Sequence, residues 1–145
     1  MPQERILVVD DEESVRGVVA ALLERSGYSA TLTESAEEAI ARLQQDPDYD
    51  LVLSDIMMPG TDGLTLLDHI CTDHPGMPVV MLSARGRPED ALRGLAAGAT
   101  AYVTKPFSLD ELEDLLTAVV SESPAARDLR RTRALATLAT ERQGR

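Results

Sequence analysis

The segment Ile6-Leu7-Val8-Val9-Asp10-Asp11 is a continuous apolar run that ends in two carboxylates. Such a run is typical of a strand that is buried on both faces of a parallel sheet. Three later apolar runs also end in polar reactive groups: residues 51–54 before Asp55, residues 79–82 before Ser83, and residues 100–104 before Lys105. If all of these runs are parallel strands of one sheet, the polar groups meet at one edge, which is where open α/β sheets bind ligands.

Helical patterns alternate with the strand-like runs. The first helix is predicted to turn one face inward, formed by Val15, Val18, Val19, Leu22 and Leu23. Residues 28–33 alternate apolar and polar side chains and predict a second, more exposed strand. Capping boxes, Ser35 with Glu38 and Ser108 with Glu111, begin two later helices. Five strand–helix units with short connections predict a parallel sheet covered by helices on both faces.

Composition narrows the class of protein. The chain has 145 residues, enough for one domain with a buried core, and a formal net charge of -11. Residues 1–122 carry 8 basic and 23 acidic side chains, net -15, whereas residues 123–145 carry 6 basic and 2 acidic, net +4. The acidic body argues against direct nucleic acid binding by this segment. Because Cys71 is the only cysteine and no apolar run approaches the roughly 20 residues of a membrane span, we expect a cytoplasmic protein outside the membrane.

Four short segments resemble the receiver domain of two-component response regulators, of the chemotaxis-regulator type. They are Val8-Val9-Asp10-Asp11-Glu12, Asp55-Ile56-Met57-Met58-Pro59-Gly60-Thr61-Asp62-Gly63, Ser83-Ala84 and Lys105-Pro106-Phe107. The resemblance covers residues 4–121 as a receiver domain and leaves residues 122–145 as a basic helical tail or linker. It implies a flavodoxin-like three-layer (βα)5 fold, with a five-stranded parallel sheet in the order 2-1-3-4-5.

The three carboxylates at the predicted edge need a cation. Asp10, Asp11 and Asp55 would repel one another by about 4 kcal/mol for each close pair at an effective dielectric constant of roughly 20. A divalent cation relieves that repulsion, and hard carboxylate oxygens suit Mg2+. Phosphoryl transfer needs positive charge on the equatorial oxygens, which Mg2+ and the Lys105 ammonium would both supply. The sequence therefore predicts an Mg2+ site with phosphoryl chemistry.

The resemblance implies a role for each of these residues. Asp55 would be the phosphoacceptor, while Ser83 and Lys105 would bond the oxygens of the phosphoryl group. The metal ligands would be Asp10, Asp11, Asp55 and the backbone carbonyl of Met57. Ser83 and Tyr102 would form the conformational switch, and the Lys105–Pro106 peptide bond would be cis.

The resemblance also implies partners. The phosphoryl donor would be a histidine kinase or a histidine phosphotransfer protein, and the receiver would control an output domain or a partner protein. A phosphorylation-dependent homodimer is a further expectation, although Ala99-Thr100-Ala101 stands where regulators with winged-helix output typically carry an acidic pair. The tail is predicted to form a further helix from Ser123 and Pro124. Its apolar spacing is too irregular to predict a coiled coil, so a linker, a docking segment and a solvated end all remain open.

A second class of function uses the same acidic cluster. An Mg2+-dependent phosphotransferase or phosphatase would also place carboxylates at the edge of an α/β sheet. Against a phosphatase with an aspartyl nucleophile, the residue two positions after Asp55 is Met57 rather than a second aspartate. The acidic body argues against a nucleic-acid-cleaving enzyme, and the sequence contains no glycine-rich phosphate loop.

Overall fold

The computed structural model of the chain describes residues 3–56, 62–84 and 88–143. The strands are β1 (Arg5–Val9), β2 (Ser29–Thr33), β3 (Leu51–Asp55), β4 (Val79–Ala84) and β5 (Ala101–Lys105). The helices are α1 (Glu13–Arg25), α2 (Ala36–Gln45), α3 (Gly63–Asp73), α4 (Pro88–Ala96), α5 (Leu109–Ser121) and α6 (Pro124–Gln143). The strands form a parallel sheet in the order β2-β1-β3-β4-β5. The predicted flavodoxin-like architecture is therefore confirmed.

Alternate residues of the central strands serve two separate cores, because successive side chains of a strand point to opposite faces of the sheet. On one face Ile6, Val8, Leu51 and Leu53 pack with buried residues of α1 and α5. On the other face Leu7, Val9 and Val52 pack with buried residues of α2 and α3. The sheet is thus the middle of three layers.

The predicted helix starts are confirmed. Ser35 Oγ accepts a hydrogen bond from the Glu38 N–H, and Ser108 Oγ accepts one from the Glu111 N–H, both at 3.1 Å. Each bond satisfies one of the backbone donors that a helix leaves unpaired at its first turn. These caps fix where α2 and α5 begin, and with them the length of the preceding connection.

One residue of the predicted inward face of α1 lies outside the core. Val19, Leu22 and Leu23 are buried and Val15 packs against them, but Val18 is 48% exposed. The expectation for Val18 was wrong because the sheet covers only one stripe of the helix, and Val18 lies at its border. It lines a surface groove together with Phe107 and Leu109 instead.

The tail forms α6 and packs on the body of the protein. Ser123 Oγ accepts a hydrogen bond from the Ala126 N–H at 3.2 Å, so the predicted start of this helix is confirmed. Leu138, near its far end, is 3% exposed and packs with Ala91 and Leu95 of α4. Of the helices in the described part of the chain, none has the length and apolar character needed to cross a membrane.

Candidate phosphoryl and metal site

The polar residues that follow the strands meet at the carboxyl edge of the sheet. Asp10 directly follows β1, Asp55 ends β3 and Lys105 ends β5. Ser83 lies one residue beyond Leu82, the residue of β4 that pairs with Asp55 in register. The strand order places β1 and β4 on either side of β3. Residues up to 95 positions apart in sequence are therefore neighbours, as the predicted sheet required.

Three carboxylates form the centre of this edge. Carboxylate oxygens of Asp10, Asp11 and Asp55 all lie within 4.8 Å of one another. Asp10 is fully buried, Asp55 is 6% exposed, and Asp11 is exposed at the rim. The donor set consists of hard oxygens of net negative charge, open to solvent on the Asp11 side. These features fit Mg2+, which prefers oxygen ligands and retains several water molecules.

Lys105 provides the positive charge beside these carboxylates. Its Nζ lies 2.9 Å from Asp10 Oδ2 and 3.0 Å from Asp55 Oδ2, with Glu12 Oε1 at 3.5 Å. Burial by itself would lower the pKa of Lys105, but hydrogen bonds to Asp10 and Asp55 outweigh it and raise that pKa. The side chain is therefore an ammonium ion at neutral pH, bound to both of the buried carboxylates. The Lys105–Pro106 peptide bond is cis, as the resemblance implied.

Arg16 of α1 holds the backbone at Asp10, a contact that the sequence did not indicate. Its Nη1 donates a 2.6 Å hydrogen bond to the Asp10 carbonyl oxygen. The Asp10 N–H donates to the Thr33 carbonyl of β2, and the Asp10 carboxylate accepts from the Glu12 N–H at 2.9 Å. The buried aspartate is thus fixed on its backbone and on its side chain before any ligand binds.

Gly63 lets the chain return past the end of β3. A Cβ at this position would overlap the Asp55 carbonyl oxygen and lie 2.8 Å from Ile56 Cα. The Gly63 N–H donates to the Ile56 carbonyl at 3.1 Å, and the Asp62 side chain caps α3 by accepting from the Thr65 N–H at 3.0 Å. The chain therefore passes directly against the backbone of Asp55 at this point.

The two predicted switch residues lie on neighbouring strands. Ser83 is 2% exposed and pairs in register with Thr104 of β5. Tyr102, on the same strand as Lys105, pairs with Met81 of β4. Its partly buried ring packs against two apolar clusters, one on the α2–α3 face of the sheet and one formed by α4 and α6. Met57, the predicted backbone ligand of the metal, lies outside the described residues.

Comparison with known proteins shows the family to which this chain is similar. A family model described as "Response regulator receiver domain" matches residues 6–117. The phosphate regulon transcriptional regulatory protein PhoB of Escherichia coli K12 is 42% identical over 125 residues, which are 84% of this chain and 54% of PhoB. The chain therefore spans about half the length of that relative.

Solved structures of receiver domains are also similar to this chain, and one match covers the tail. The receiver domain of NtrX from Brucella abortus is 38% identical, with a TM-score of 0.78, and the match covers 81% of this chain and all but 1% of that domain. A longer NtrX chain is 35% identical with a TM-score of 0.74, and its match covers 98% of this chain and 29% of that chain. The likeness to the longer chain thus includes most of α6.

Proposed function

The chain belongs to the response regulator receiver domain family, and from this premise we propose that it accepts a phosphoryl group on Asp55 and changes conformation in response. The observation that carries the proposal is the Lys105 ammonium, bound to Asp55 and Asp10 at the carboxyl edge of the sheet. A carboxylate held between a cation and two further carboxylates has the environment that a phosphorylated aspartate needs.

In the proposed reaction a carboxylate oxygen of Asp55 attacks the phosphorus atom of the donor. The bond between that phosphorus and the donor nitrogen breaks, and the nitrogen leaves with the bonding electrons. Lys105 then pairs with an oxygen of the transferred group, while Ser83 donates its hydroxyl to another. Asp55 lies at the fixed end of β3, so the nucleophile is oriented before the donor arrives.

We propose Mg2+ as the cofactor of this step. Asp10, Asp11 and Asp55 would hold it, and the Met57 carbonyl would be a further ligand. When bound, the ion supplies positive charge to the oxygens of the transferred phosphoryl group. The buried position of Asp10 and the bonds that Arg16 and Glu12 make to it keep this ligand in place.

The enzyme alternative is not favoured. The family and the relatives at this level of identity are response regulators, which act as signalling switches. A regulator of this kind assists its own phosphorylation and dephosphorylation rather than turning over an external substrate. We therefore assign the acidic cluster to the modification of the chain itself.

An apolar groove beside Lys105 supports docking of a protein donor. The groove has a volume of about 600 Å3 and is lined by Val15, Val18, Phe107 and Leu109, together with Glu12 and Lys105. Val18 and Leu109 are 48% and 38% exposed, so the apolar surface is accessible next to the acceptor. We propose that a helix carrying the phosphohistidine of a kinase or phosphotransfer protein packs there. Such a donor acts in the cytoplasm, which is where we place this chain.

The output of the switch is also a proposal. PhoB is named as a transcriptional regulatory protein, and this chain spans about half of its length. We propose that the receiver controls an output domain or a separate partner protein. The phosphorylation-dependent homodimer implied by the resemblance stays a prediction, which sedimentation of the phosphorylated chain would test.

The function is tested with a small phosphoryl donor. With Mg2+ and acetyl phosphate, the chain should gain one phosphoryl group that is stable in acid and removed by hydroxylamine. Asp55→Asn should abolish the gain, whereas Asp50→Asn, at an aspartate that precedes the same strand, should leave it unchanged. Phosphate found on a serine or histidine by mass spectrometry would overturn the assignment.

The docking groove is tested separately. Val18→Asp should slow phosphorylation by a purified phosphorylated histidine kinase while leaving the reaction with acetyl phosphate unchanged. Equal loss with both donors would mean that the substitution damages the site itself.

A further inference from the structure

The C-terminal helix α6 covers the outer surface of α4 and β5. One stripe of the helix makes the contact, and its residues recur about once per helical turn: Arg127, then Arg131, then Ala134 with Leu135, and then Leu138. Leu138 is buried with Ala91 and Leu95 of α4, and Ala134 and Leu135 pack against the same cluster. This cluster also includes the ring of Tyr102 from β5. The surface that α6 covers is therefore apolar and spans a helix and the edge strand of the sheet.

Two arginines of the stripe bind the ends of other helices. Arg131 donates to the carbonyl oxygens of Leu95 and Ala96, the last two residues of α4, at 2.6 and 3.2 Å. Arg127 donates to the carbonyl oxygens of Val119 and Val120 in the last turn of α5, at 2.9 and 3.2 Å. The last carbonyls of a helix have no partner within the helix and carry partial negative charge, so guanidinium groups suit them. The contact is specific in charge as well as in shape.

Helix α4 contacts both α6 and β4, the strand next to β3. A Cβ on Gly94 would lie 3.4 Å from Met81 Cγ and 3.5 Å from Ile56 Cδ1, so this face of α4 packs closely on β4 and on the residue that follows Asp55. A neighbouring face of the same helix, with Ala91 and Leu95, carries the cluster that α6 covers. Tyr102 gives a second connection, because it contacts this cluster and stands on the same strand as Lys105.

We propose that α6 is an intramolecular ligand of the α4–β5 face, docked while Asp55 is unmodified and released when Asp55 is phosphorylated. This inference rests on the proposed role of Asp55. The docked arrangement is the one in which Lys105 binds both Asp10 and Asp55. A phosphoryl group adds about 1.5 to 2 negative charges at Asp55 and competes for Lys105. Rearrangement of β5 or α4 around it removes contacts that α6 makes only in the unmodified state.

The coupling must act in both directions. A ligand shifts a conformational equilibrium only by the difference in its affinity for the two states. If a phosphoryl mimic at Asp55 weakens docking of α6 by some factor, complete loss of the docking must strengthen binding of the mimic by that same factor. The affinity for the mimic therefore reports on the coupling, because it would not change if α6 had only a structural role.

The experiment uses the full chain with Mg2+ and beryllofluoride, a mimic of the aspartyl phosphate. Amide hydrogen exchange is followed by mass spectrometry in peptides from α6 and from β3. Beryllofluoride should slow exchange near Asp55 and accelerate it about 10-fold or more in residues 131–138. Arg131→Gln should accelerate exchange in α6 without the mimic and should tighten beryllofluoride binding, by at most the factor by which the mimic weakens docking. Arg133→Gln, an exposed arginine of the same helix, is the control and should change neither.

The outcomes separate the two proposals. Absence of beryllofluoride binding to the parent chain would overturn the role of Asp55 and, with it, the release of α6. Binding at Asp55 with unchanged exchange in α6 would overturn only the release. Slower exchange in α6 would also overturn the release. It would mean that the added negative charge makes the basic tail dock more tightly. An unchanged beryllofluoride affinity in Arg131→Gln would show that the two sites are not coupled.

Discussion

The Lys105 ammonium lies 3.0 Å from the Asp55 carboxylate, although the two residues are 50 positions apart in sequence. The same ammonium lies 2.9 Å from Asp10, which is fully buried. A buried carboxylate without a cation is strongly unfavourable, since it loses the hydration that stabilises its charge. Lys105 therefore stabilises the metal-free site and is also placed to bind a phosphoryl oxygen.

Replacing Lys105 should separate these two contributions. Lys105→Met should destabilise the protein in EDTA by about 3 kcal/mol, because Asp10 and Asp55 lose their common partner. It should slow phosphorylation by acetyl phosphate about 100-fold, the usual cost of removing one positive donor from a transition state. Mg2+ affinity should not fall, since the metal would no longer compete with the ammonium. Chemical denaturation, rate measurement and metal titration check these points, and an unchanged rate would contradict the role of Lys105.

Mg2+ should stabilise the chain through the acidic cluster. Binding to the folded state raises the free energy of unfolding by RT ln(1 + [Mg2+]/Kd), which is about 1.4 kcal/mol at roughly ten times Kd. Asp11→Ala should remove most of this gain and should leave the metal-free protein at least as stable as the parent, because one repulsive carboxylate is gone. Glu24→Ala, at an exposed acidic residue of α1, is the control. Equal Mg2+ shifts in melting temperature for Asp11→Ala and the parent would place the ion elsewhere.

Arg16 should act on the metal through the backbone of Asp10. Its 2.6 Å bond to the Asp10 carbonyl orients a ligand without touching the ion. Arg16→Gln should lower Mg2+ affinity about 10-fold, as is typical of residues that orient metal ligands. Arg25→Gln, at the exposed end of α1, should leave it unchanged. Calorimetric titration measures both, and equal affinities would mean that the connection between β1 and α1 holds its shape without Arg16.

The sequence predicted the strands and their polar ends because buried parallel strands leave an unbroken apolar signal. Asp10, Asp55, Ser83 and Lys105 each follow such a run or end it, so the sheet order alone brings them together. The contact of Arg16 could not be predicted in this way, since one arginine on an amphipathic helix resembles any surface arginine. Its partner is a backbone carbonyl, which every residue possesses.

The docking of α6 cannot be predicted from the sequence for a related reason. Its contact stripe begins with Arg127 and Arg131 and becomes apolar only at Ala134, Leu135 and Leu138. The apolar residues form only part of the stripe, so their spacing in the sequence is irregular. The rest of the stripe, Arg127 and Arg131, donates hydrogen bonds to carbonyl oxygens at the ends of α5 and α4. The positions of those carbonyls depend on the complete fold. The exposure of Val18 likewise depends on where the neighbouring connection passes.

Gly63 and Gly17 should respond in opposite ways to the same substitution. Gly63→Ala places a Cβ against the backbone of Asp55 and Ile56 and should destabilise the protein by about 1–3 kcal/mol. A Cβ on Gly17, exposed within α1, has nothing within 4 Å, so Gly17→Ala should stabilise the protein by about 1 kcal/mol. Urea denaturation measures both changes. A neutral Gly63→Ala would show that the return of the chain past β3 can shift at little cost.

Ser83 should transmit the state of Asp55 to the outer surface without being needed for the modification. It lies one residue beyond the register partner of Asp55 and is nearly buried, so its hydroxyl is placed to bond a phosphoryl oxygen. In amide NMR spectra, beryllofluoride should shift signals at Asp55, through Tyr102 and onto α4. In Ser83→Ala the shifts at Asp55 should persist, while those at Tyr102 and α4 should become smaller. Thr65→Ala, a hydroxyl deletion on α3, provides the comparison. Distant shifts of full size in Ser83→Ala would exclude Ser83 as the connection and leave Lys105, on the strand of Tyr102, as the remaining route.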